Sequence, residues 1–308
     1  MEVVRKVLVL GGNGFIGRHA VIALQSKEAE ITIGSRFAQD ALVNADQSII
    51  KHQQVSLRLE TLISSDSWLD TVSEYDVILN CVGILRQRPN ESYQSIHNLA
   101  PAALALACSI KNVRLVHVSA LGLCANAKSR FLTSKYNGEQ GIKSSTSDWI
   151  IVRPSLLDGE GGFGAQWLRG VAKLPIFAVP TSAKGKIAAM TVDDLGEALA
   201  KLCLAPSTEL NLSLSREFEL GGEDLMGFEE YIRALRLRYS SSRALKIPIP
   251  SIFARLGAHF CDLLHFSPFS FGHWELLCKD NVPKNNRLPE LLGREPTKVT
   301  VKVDSELL

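Results

Sequence analysis

Short apolar runs rich in β-branched residues alternate with helix-like segments through the first half of the chain. The runs KVLVLGG, EITIGSR, YDVILNCVG, VRLVHVSALG and DWIIVRPS each predict a strand, and VSLRLE predicts one further strand. Helical spacing is found from about Phe15 to Ser26 and again in IHNLAPAALALACSIKN. Nearly continuous apolar strands separated by helices are typical of a parallel sheet covered on both faces. We therefore predict an α/β fold built on a doubly wound parallel sheet.

The pattern changes after about Asp158. A glycine-rich loop, LDGEGGFGAQ, precedes the irregular, proline-punctuated segment LPIFAVPTSAKGK. MTVDDLGEALAKLCLA then predicts a helix whose acidic first turn suits the helix dipole, and FELGGEDLMGFEEYIRALRLRY predicts a strand, a turn and a helix. We predict a main domain over residues 1–157 and a smaller, mainly helical C-terminal lobe over residues 158–308, with part of 187–222 returning to the main domain.

Composition narrows the class of protein. The 308 residues are 46% hydrophobic and 21% charged, and the formal net charge of +2 is too small to indicate a nucleic-acid binder. No apolar stretch approaches the roughly 18 residues of a membrane-spanning helix, and the early strand in VVRKVLVLGG leaves no room for a signal peptide.

The six cysteines are scattered, with no Cys-x-x-Cys pair. We therefore expect reduced thiols, no metal site and a cytoplasmic location.

The strongest local signal is VLVLGGNGFIGRHAVIAL, in which a strand, a glycine loop and a helix follow one another. Gly11 permits a tight turn, Gly14 lets the backbone approach a pyrophosphate, and Gly17 lets helix and strand pack closely. The start of the helix offers N–H groups and a positive dipole end to the phosphates. This order predicts a dinucleotide site of Rossmann type; the alternative is a structural turn in a sheet that has lost its ligand. The expected contacts of the loop are Gly11, Asn13, Gly14, Phe15, Ile16, Gly17 and Arg18.

The end of the second strand bears on which dinucleotide is bound. An NAD site usually has Asp or Glu about 20 residues past the glycines, but here the chain reads Ser35-Arg36, with no acid before Asp40. A guanidinium at this place pairs with the 2′-phosphate of NADP and stacks on adenine, and Arg18 adds a second positive charge. We therefore prefer NADP(H), with NAD(H) as the alternative. If NAD(H) is bound, Arg36 covers the adenine without distinguishing between the two nucleotides.

Together these motifs resemble an atypical short-chain dehydrogenase/reductase, of the extended, epimerase/dehydratase-like kind. The resemblance runs nearly end to end and includes GGNGFIGRH, ILNCVGIL, VHVSALG, SRFLTSKYNGEQ, WIIVRPSLLDGEGG and MTVDDLGEAL. The chain is most similar to the branch containing the nucleotide-binding accessory subunit of respiratory complex I and its free-standing bacterial relatives.

The resemblance implies roles for particular residues. Ser119 matches the serine that hydrogen-bonds a substrate carbonyl, and Lys135 matches the lysine that holds the nicotinamide ribose hydroxyls. Pro154 and Ser155 match the turn under the nicotinamide. The segment beside the adenine-side ribose corresponds to Asn80, Cys81, Val82 and Gly83.

Phe131 departs from the family pattern. Active members have tyrosine four residues before the lysine, and its hydroxyl protonates the carbonyl oxygen while the lysine lowers its pKa. A phenyl ring has no proton to give, and losing a general acid typically costs about 10²–10⁴ in rate. Tyr136 is rotated by about 100° from the Phe131 and Lys135 face. His97, one helical turn after Tyr93, is the better substitute because its reference pKa lies near neutrality; packing is the alternative role.

The segment SIFARLGAHFCDLLHF has an apolar stripe at Ile252, Leu256, Phe260, Leu263 and Leu264. We expect this stripe to pack within its own domain. The alternatives are a cover over an apolar substrate or a docking face for a protein partner; a membrane-surface helix is disfavoured because the segment carries little basic charge.

Two functions of different class follow. The first is an oxidoreductase acting on an apolar carbonyl, quinone-like or lipid-like compound, in which NADPH gives hydride, Ser119 polarises the acceptor, and water or His97 gives the proton. The second is a nucleotide-loaded assembly or redox-sensing protein, which the resemblance and the missing tyrosine favour. Epimerase/dehydratase chemistry is a weaker alternative, because it depends on the same tyrosine.

Overall fold

The centre of the fold is a seven-stranded sheet in which every neighbouring pair of strands is parallel. A computed structural model of the chain describes residues 4–36, 49, 51–239, 244–264 and 270–299. The spatial order of the sheet is β11-β6-β5-β4-β1-β2-β3. Its strands are β1 (Lys6–Leu10), β2 (Glu30–Ser35), β3 (Gln53–Ser56), β4 (Val77–Asn80), β5 (Arg114–Val118), β6 (Trp149–Pro154) and β11 (Glu217–Leu220).

Helices cover both faces of this sheet. Alternate residues of β1 belong to different cores: Val7 and Val9 face one side, while Leu8 and Leu10 face the other. On the first side lie α1 (Phe15–Gln25), α6 (Val192–Leu204) and the short α10 (Leu288–Leu292); on the second lie the short α2 (Leu69–Val72), α3 (Ala100–Lys111) and α4 (Arg130–Lys143). A parallel sheet buried on both faces explains why its strands are apolar throughout.

The C-terminal lobe has a third core of its own. The helices of the lobe are α5 (Phe163–Lys173), α7 (Phe228–Arg236), α8 (Ser251–Leu264) and α9 (Phe271–Leu277). Strands β8 (Ile176–Pro180) and β13 (Leu245–Ile249) form a parallel pair. Two further two-stranded pieces are formed by β7 (Leu157–Asp158) with β10 (Met190–Thr191), and by β9 (Lys186–Ile187) with β12 (Met226–Gly227). The lobe is joined to the main sheet because β11 and α6, from the later half of the chain, pack into the main domain.

The predicted doubly wound fold is confirmed, and so are five of the six predicted N-terminal strands. The strand predicted over VSLRLE is misplaced, because β3 is Gln53–Ser56 and residues 57–60 are not in a strand. One local difference lies before α3, where residues Gln94–Leu99 form a wide π-helical turn. Pro101 follows directly and has no N–H to donate to the turn before it, a common cause of helix distortion. The division of the chain at residue 157 stays a prediction.

Candidate functional site

A large cavity opens at the carboxyl ends of the central strands. Its volume is about 940 Å³, and ligands of open α/β sheets bind at this edge. Of the residues predicted to contact cofactor or substrate, those on the cavity wall are Gly11, Asn13, Gly14, Phe15, Ile16, Ser35, Arg36, Cys81, Val82, Gly83, Ser119, Phe131, Lys135, Pro154 and Ser155.

The glycine loop has the backbone geometry that a pyrophosphate requires. Gly11 has φ of 76°, in the left-handed region that favours glycine, and its N–H donates to the Gly34 carbonyl at 2.7 Å. A Cβ at Gly17 would overlap the Gly11 carbonyl, so this position keeps the helix against the loop. Helix α1 begins after Gly14 with neither a side-chain cap nor an acid in its first turn. Its first N–H groups are therefore available to an anion.

Polar side chains mark the end of the cavity beside β2. Ser35 Oγ and Asn13 Oδ1 are buried and have no hydrogen-bond partner among the described residues. The Arg36 guanidinium is 40% exposed and forms an ion pair with Glu91, which also lines the cavity. Asp40 lies outside the described residues. This end has one cation and several unpartnered polar atoms, a set suited to ribose and phosphate oxygens.

Two predicted contacts lie behind the cavity wall. Gly17 is buried in the packing between α1 and the glycine loop. Arg18 points to the loop after β7, where its guanidinium donates to the Glu160 carbonyl. The structure therefore joins Arg18 to the glycine-rich loop of the C-terminal lobe.

The segment after β4 is held by a buried asparagine. Asn80 Oδ1 accepts the Val82 N–H at 3.0 Å, and its Nδ2 lies 3.1 Å from His117 Nδ1. Burial lowers the pKa of His117 to about 3, so this core histidine is neutral and accepts the hydrogen bond. Cys81, Val82 and Gly83 are thereby fixed along the cavity wall.

Lys135 projects from α4 toward Gly83. The Lys135 ammonium lies close to the Gly83 backbone, since a Cβ built at Gly83 would be 3.8 Å from the ammonium nitrogen. Burial lowers the pKa of Lys135 to about 8, and the negative charge of Glu139 opposes this shift. Within the described parts of the chain, the ammonium has no hydrogen bond or ion pair. It is thus a cation in the cavity wall that is able to donate to hydroxyl groups.

The Phe131 ring, where active relatives have the phenol, is packed in a cluster of four rings. Tyr93 and His97 meet it edge-on at centroid distances of 5.7 and 5.5 Å, and His273 stacks on it at 5.8 Å. The Tyr93 hydroxyl donates to the Leu85 carbonyl at 2.8 Å. We call Tyr93, His97, Phe131 and His273 the aromatic cluster. It brings two imidazoles against the position of the missing hydroxyl.

His97 is enclosed on both sides of its ring. Its Nε2 accepts the Ile84 N–H at 3.1 Å, and its Nδ1 lies 3.1 Å from Ser134 Oγ, which in turn donates to the Phe131 carbonyl. Burial and the charge of Lys135 lower the pKa of His97 well below its usual range. A neutral ring with both nitrogens engaged gives no proton to the cavity unless these bonds break. The proton-donor role of His97 stays a prediction, and these contacts favour a packing role.

Ser119 lies at the end of β5 and carries a free hydroxyl. Its Oγ is buried on the cavity wall and has no partner among the described residues. Ser155, after β6, differs because its Oγ donates to the Asn281 carbonyl at 2.8 Å and accepts the Ala188 N–H at 3.2 Å. Pro154 pairs in register with Leu220 of β11. Of these positions, Ser119 alone presents an unused polar atom to a substrate.

The C-terminal lobe supplies the apolar end of the cavity. Residues of α5, α7 and α9 form this wall, and its larger side chains are Leu156, Leu157, Phe163, Trp167, Leu168, Phe228, Leu276 and Leu277. His273 of α9 also lies here; its Nδ1 is 2.6 Å from Ser270 Oγ, which caps the helix. The sequence reasoning missed His273, Glu91 and the leucines of α9. The capping pattern Ser270-x-x-His273 predicts a helix start, but only the tertiary fold brings it to Phe131.

Some features are absent from the part of the chain that the structure describes. No helix there is long and apolar enough to cross a membrane. The same residues contain no group of three His, Cys, Asp or Glu side chains arranged to hold a metal ion.

Comparisons with known proteins agree with this geometry. The model of the NAD(P)H-binding family matches residues 11–176. Subunit 9 of the NADH dehydrogenase [ubiquinone] 1 alpha subcomplex, mitochondrial, from Dictyostelium discoideum is 23% identical over 80% of this chain and 67% of its own length. The NADH-ubiquinone oxidoreductase 40 kDa subunit, mitochondrial, of Neurospora crassa is 25% identical over 70% of this chain and 55% of its own. A ceramide reductase of Caulobacter vibrioides is 25% identical over 65% of this chain and 61% of its own.

Solved structures support the fold. Pal from Bacillus thuringiensis superimposes with a TM-score of 0.65 at 14% identity, covering 98% of this chain and 95% of that one. The UDP-glucose 4-epimerase of Thermus thermophilus, solved with NAD, gives 0.57 at 18% identity, covering 80% and 86%. The sequence matches confirm the predicted resemblance to the NADH dehydrogenase subunits, and the solved structures confirm the predicted fold.

Proposed function

Because the chain belongs to the NAD(P)H-binding family, we propose that it is an NADP(H)-dependent reductase of an apolar carbonyl or quinone-like compound. The observation that carries this proposal is Ser119 Oγ, which is buried and unpartnered in a cavity whose far end is apolar. A buried hydroxyl without a partner costs about 1–3 kcal/mol unless a ligand completes its hydrogen bond. An apolar molecule with one carbonyl oxygen would accept the Ser119 hydrogen bond and would also fill the apolar end of the cavity.

The chain's own residues fit the cofactor. The free N–H groups at the start of α1 receive the pyrophosphate, and Lys135 donates to the hydroxyls of the nicotinamide ribose. Ser35 and Arg36 line the same cavity, and we propose that they receive the 2′-phosphate of NADP. Arg36 is paired with Glu91, so a phosphate at this place competes with that carboxylate. NADP(H) is proposed over NAD(H) because residues 35 and 36 include a cation and no acid.

The proposed reaction needs one hydride and one proton. The reduced nicotinamide supplies the hydride to the carbonyl carbon when it is bound. Ser119 donates a hydrogen bond to the carbonyl oxygen and stabilises the charge that develops there. The oxygen takes up the proton, so that the carbonyl becomes an alcohol as the nicotinamide is oxidised.

We propose that His273 donates the proton that the carbonyl oxygen takes up. Its ring stacks on Phe131 and lies on the cavity wall. In this step His273 acts as an imidazolium: its Nδ1–H donates to Ser270 Oγ, 2.6 Å away, and its Nε2–H passes to the carbonyl oxygen, which leaves a neutral ring. Delivery of that proton by His273 replaces the phenol that position 131 lacks.

The test is NADPH oxidation against a panel of apolar quinones and long-chain aldehydes. Ser119→Ala removes the hydrogen bond, which is expected to lower kcat by roughly 10–10²-fold and to leave the Kd of NADPH unchanged. Ser35→Ala, the same substitution at the other end of the cavity, is the matched control; it weakens NADPH binding and leaves kcat alone. The proposal is wrong if no member of the panel is reduced, or if Ser119→Ala turns over like the wild type.

A second function has its own support. Phe131 removes the usual acid, and two relatives matched over 70–80% of this chain are named as subunits of NADH dehydrogenase complexes. These observations favour a nucleotide-loaded assembly or redox-sensing protein whose C-terminal lobe binds a protein partner. Tight NADPH binding without oxidation by any substrate, together with a stable complex with a larger assembly, is the expected result for that function. The cytoplasmic location stays a prediction, since both relatives are named as mitochondrial.

A further inference from the structure

Helix α8 presents apolar side chains to solvent, contrary to the expectation that its stripe packs inside the lobe. Ile252, Phe253, Leu256 and Phe260 are each 57–66% exposed. At about 100° per residue these four side chains fall within an arc of roughly 100° on one face of the helix. The opposite face is small and buried, with Ala254 and Ala258. The side chains of Leu263 and Leu264 lie outside the described residues.

The preceding strand extends this apolar surface. In β13, Leu245 and Ile247 are 64% and 46% exposed, and Leu245 is paired in register with Ile176 of β8, itself 47% exposed. The strand continues into α8 through Pro250, whose carbonyl accepts the Phe253 N–H. We call the exposed residues of β8, β13 and α8 the apolar face. Several exposed apolar side chains on elements that follow one another or pair with one another indicate an interaction site.

The charges around the apolar face are mainly positive. Residues 173–178 and 244–264 contain Lys173, Lys246 and Arg255 against the single carboxylate of Asp262, whereas the whole chain has 32 acids against 34 Lys and Arg. Lys246 pairs with Glu229 at 2.7 Å, and this carboxylate is shared with Arg233, so the cluster keeps a net positive charge. On the helix, Arg255 flanks the apolar arc. The sequence of α8 alone shows little basic charge, but the neighbouring strands and α5 add two lysines to the same region.

This combination fits a lipid surface better than a protein. Helices that lie in a membrane interface bury aromatic and aliphatic side chains while adjacent cations meet anionic headgroups. Protein interfaces, by contrast, are depleted in lysine. We propose that the apolar face docks on the surface of an anionic bilayer, with α8 parallel to the membrane plane and Phe253 and Phe260 at the headgroup boundary.

Docking would place the apolar end of the cavity next to the membrane. Helix α9 lies between α8 and the cavity: His259 of α8 stacks on Phe271 of α9 at 4.4 Å, and Leu276 and Leu277 of the same helix line the cavity wall. An apolar substrate dissolved in the bilayer would then reach the cavity without crossing bulk water. The docking itself rests only on the exposed side chains and charges, so it stands or falls separately from the proposed turnover.

The experiment is co-sedimentation of the full chain with vesicles of phosphatidylcholine alone and with added phosphatidylglycerol, at low and high salt. The wild type is expected to bind the anionic vesicles and to release as salt rises. The double variant Phe253→Ser, Phe260→Ser is expected to bind at least about tenfold more weakly, because it lacks the two phenyl rings that the bilayer would bury. Thermal melting confirms that each variant is folded.

The matched control is Leu106→Ser, Leu214→Ser, which removes two apolar side chains that are 48% and 85% exposed elsewhere on the surface. It should bind vesicles like the wild type. No binding of the wild type to anionic vesicles overturns the proposal, as does equal binding by the Phe253, Phe260 variant. A wild-type dimer in light scattering that the same variant converts to a monomer overturns it too, because the apolar face then binds a second copy.

Discussion

The two ends of the cavity differ in the kind of group that each depends on. At the nucleotide end the binding groups are mainly backbone: a left-handed Gly11, a glycine that keeps helix and loop together, and free N–H groups at the start of α1. At the catalytic end the proposed chemistry depends on single side-chain atoms, namely Ser119 Oγ, the Lys135 ammonium and a ring proton. Phe131 lies at the proposed catalytic end and not among the groups of the nucleotide end. We therefore expect that nucleotide binding and turnover can be changed separately in this chain.

The largest effect is expected at the catalytic end, from His273→Phe. If His273 gives the proton, this variant loses about 10²–10⁴ in kcat and keeps its affinity for NADPH. Adding Phe131→Tyr to it restores a phenol beside Lys135 and is expected to recover turnover. Steady-state NADPH oxidation and its pH profile check both results. Full activity of His273→Phe would show that water or another group supplies the proton.

At the nucleotide end, Gly17→Ala should weaken NADPH binding because it disturbs the backbone of the glycine loop. The new Cβ overlaps the Gly11 carbonyl, and overpacking of this kind costs roughly 1–3 kcal/mol, or about 10–10²-fold in the Kd of NADPH. Calorimetric titration measures the loss. Gly170→Ala is the control, since a Cβ there meets nothing within 4 Å; NADPH binding by Gly170→Ala should match the wild type. Equal affinity for NADPH in Gly17→Ala would contradict the assigned loop geometry.

A smaller effect is expected from Lys135 as pH changes. Its pKa is about 8 in the folded protein against 10.5 for an ordinary lysine side chain, so between these pH values the unfolded chain holds a proton that the folded chain has lost. The free energy of unfolding should therefore rise with pH across this window. Lys135→Met removes this contribution, which thermal melts of both proteins without nucleotide would measure. Identical pH dependence in the two proteins would show that the ammonium is not desolvated.

Most of the residues predicted for the nucleotide end line the cavity, because the signals that predict them are local. The order strand, glycine loop, helix fixes Gly11, Gly14 and Gly17 with respect to β1 and α1, and a buried parallel sheet leaves few alternatives for the apolar runs. Ser35 and Arg36 follow from the end of β2, although the Arg36 pairing with Glu91 joins residues that are distant along the chain.

The catalytic end is less predictable because its residues come together from distant parts of the chain. His97 has suitable chemistry, but two hydrogen bonds from neighbouring elements engage its ring. His273 reaches Phe131 only through the packing of the C-terminal lobe on the main domain. The apolar stripe of α8 has the period of a buried helix face, and the period alone does not show whether protein or solvent lies beside it. In each case tertiary contacts decide the role.

The most direct test is a single turnover with NADPH that carries deuterium at the transferred position. The protein is loaded with this NADPH, mixed with an apolar carbonyl substrate from the panel, and the alcohol is analysed by mass spectrometry. We predict one deuterium in the alcohol carbon, formed as the bound nucleotide is oxidised, and a slower transfer in Ser119→Ala. Stoichiometric NADPH binding with no deuterated product would contradict the reductase and leave a protein that only binds its nucleotide.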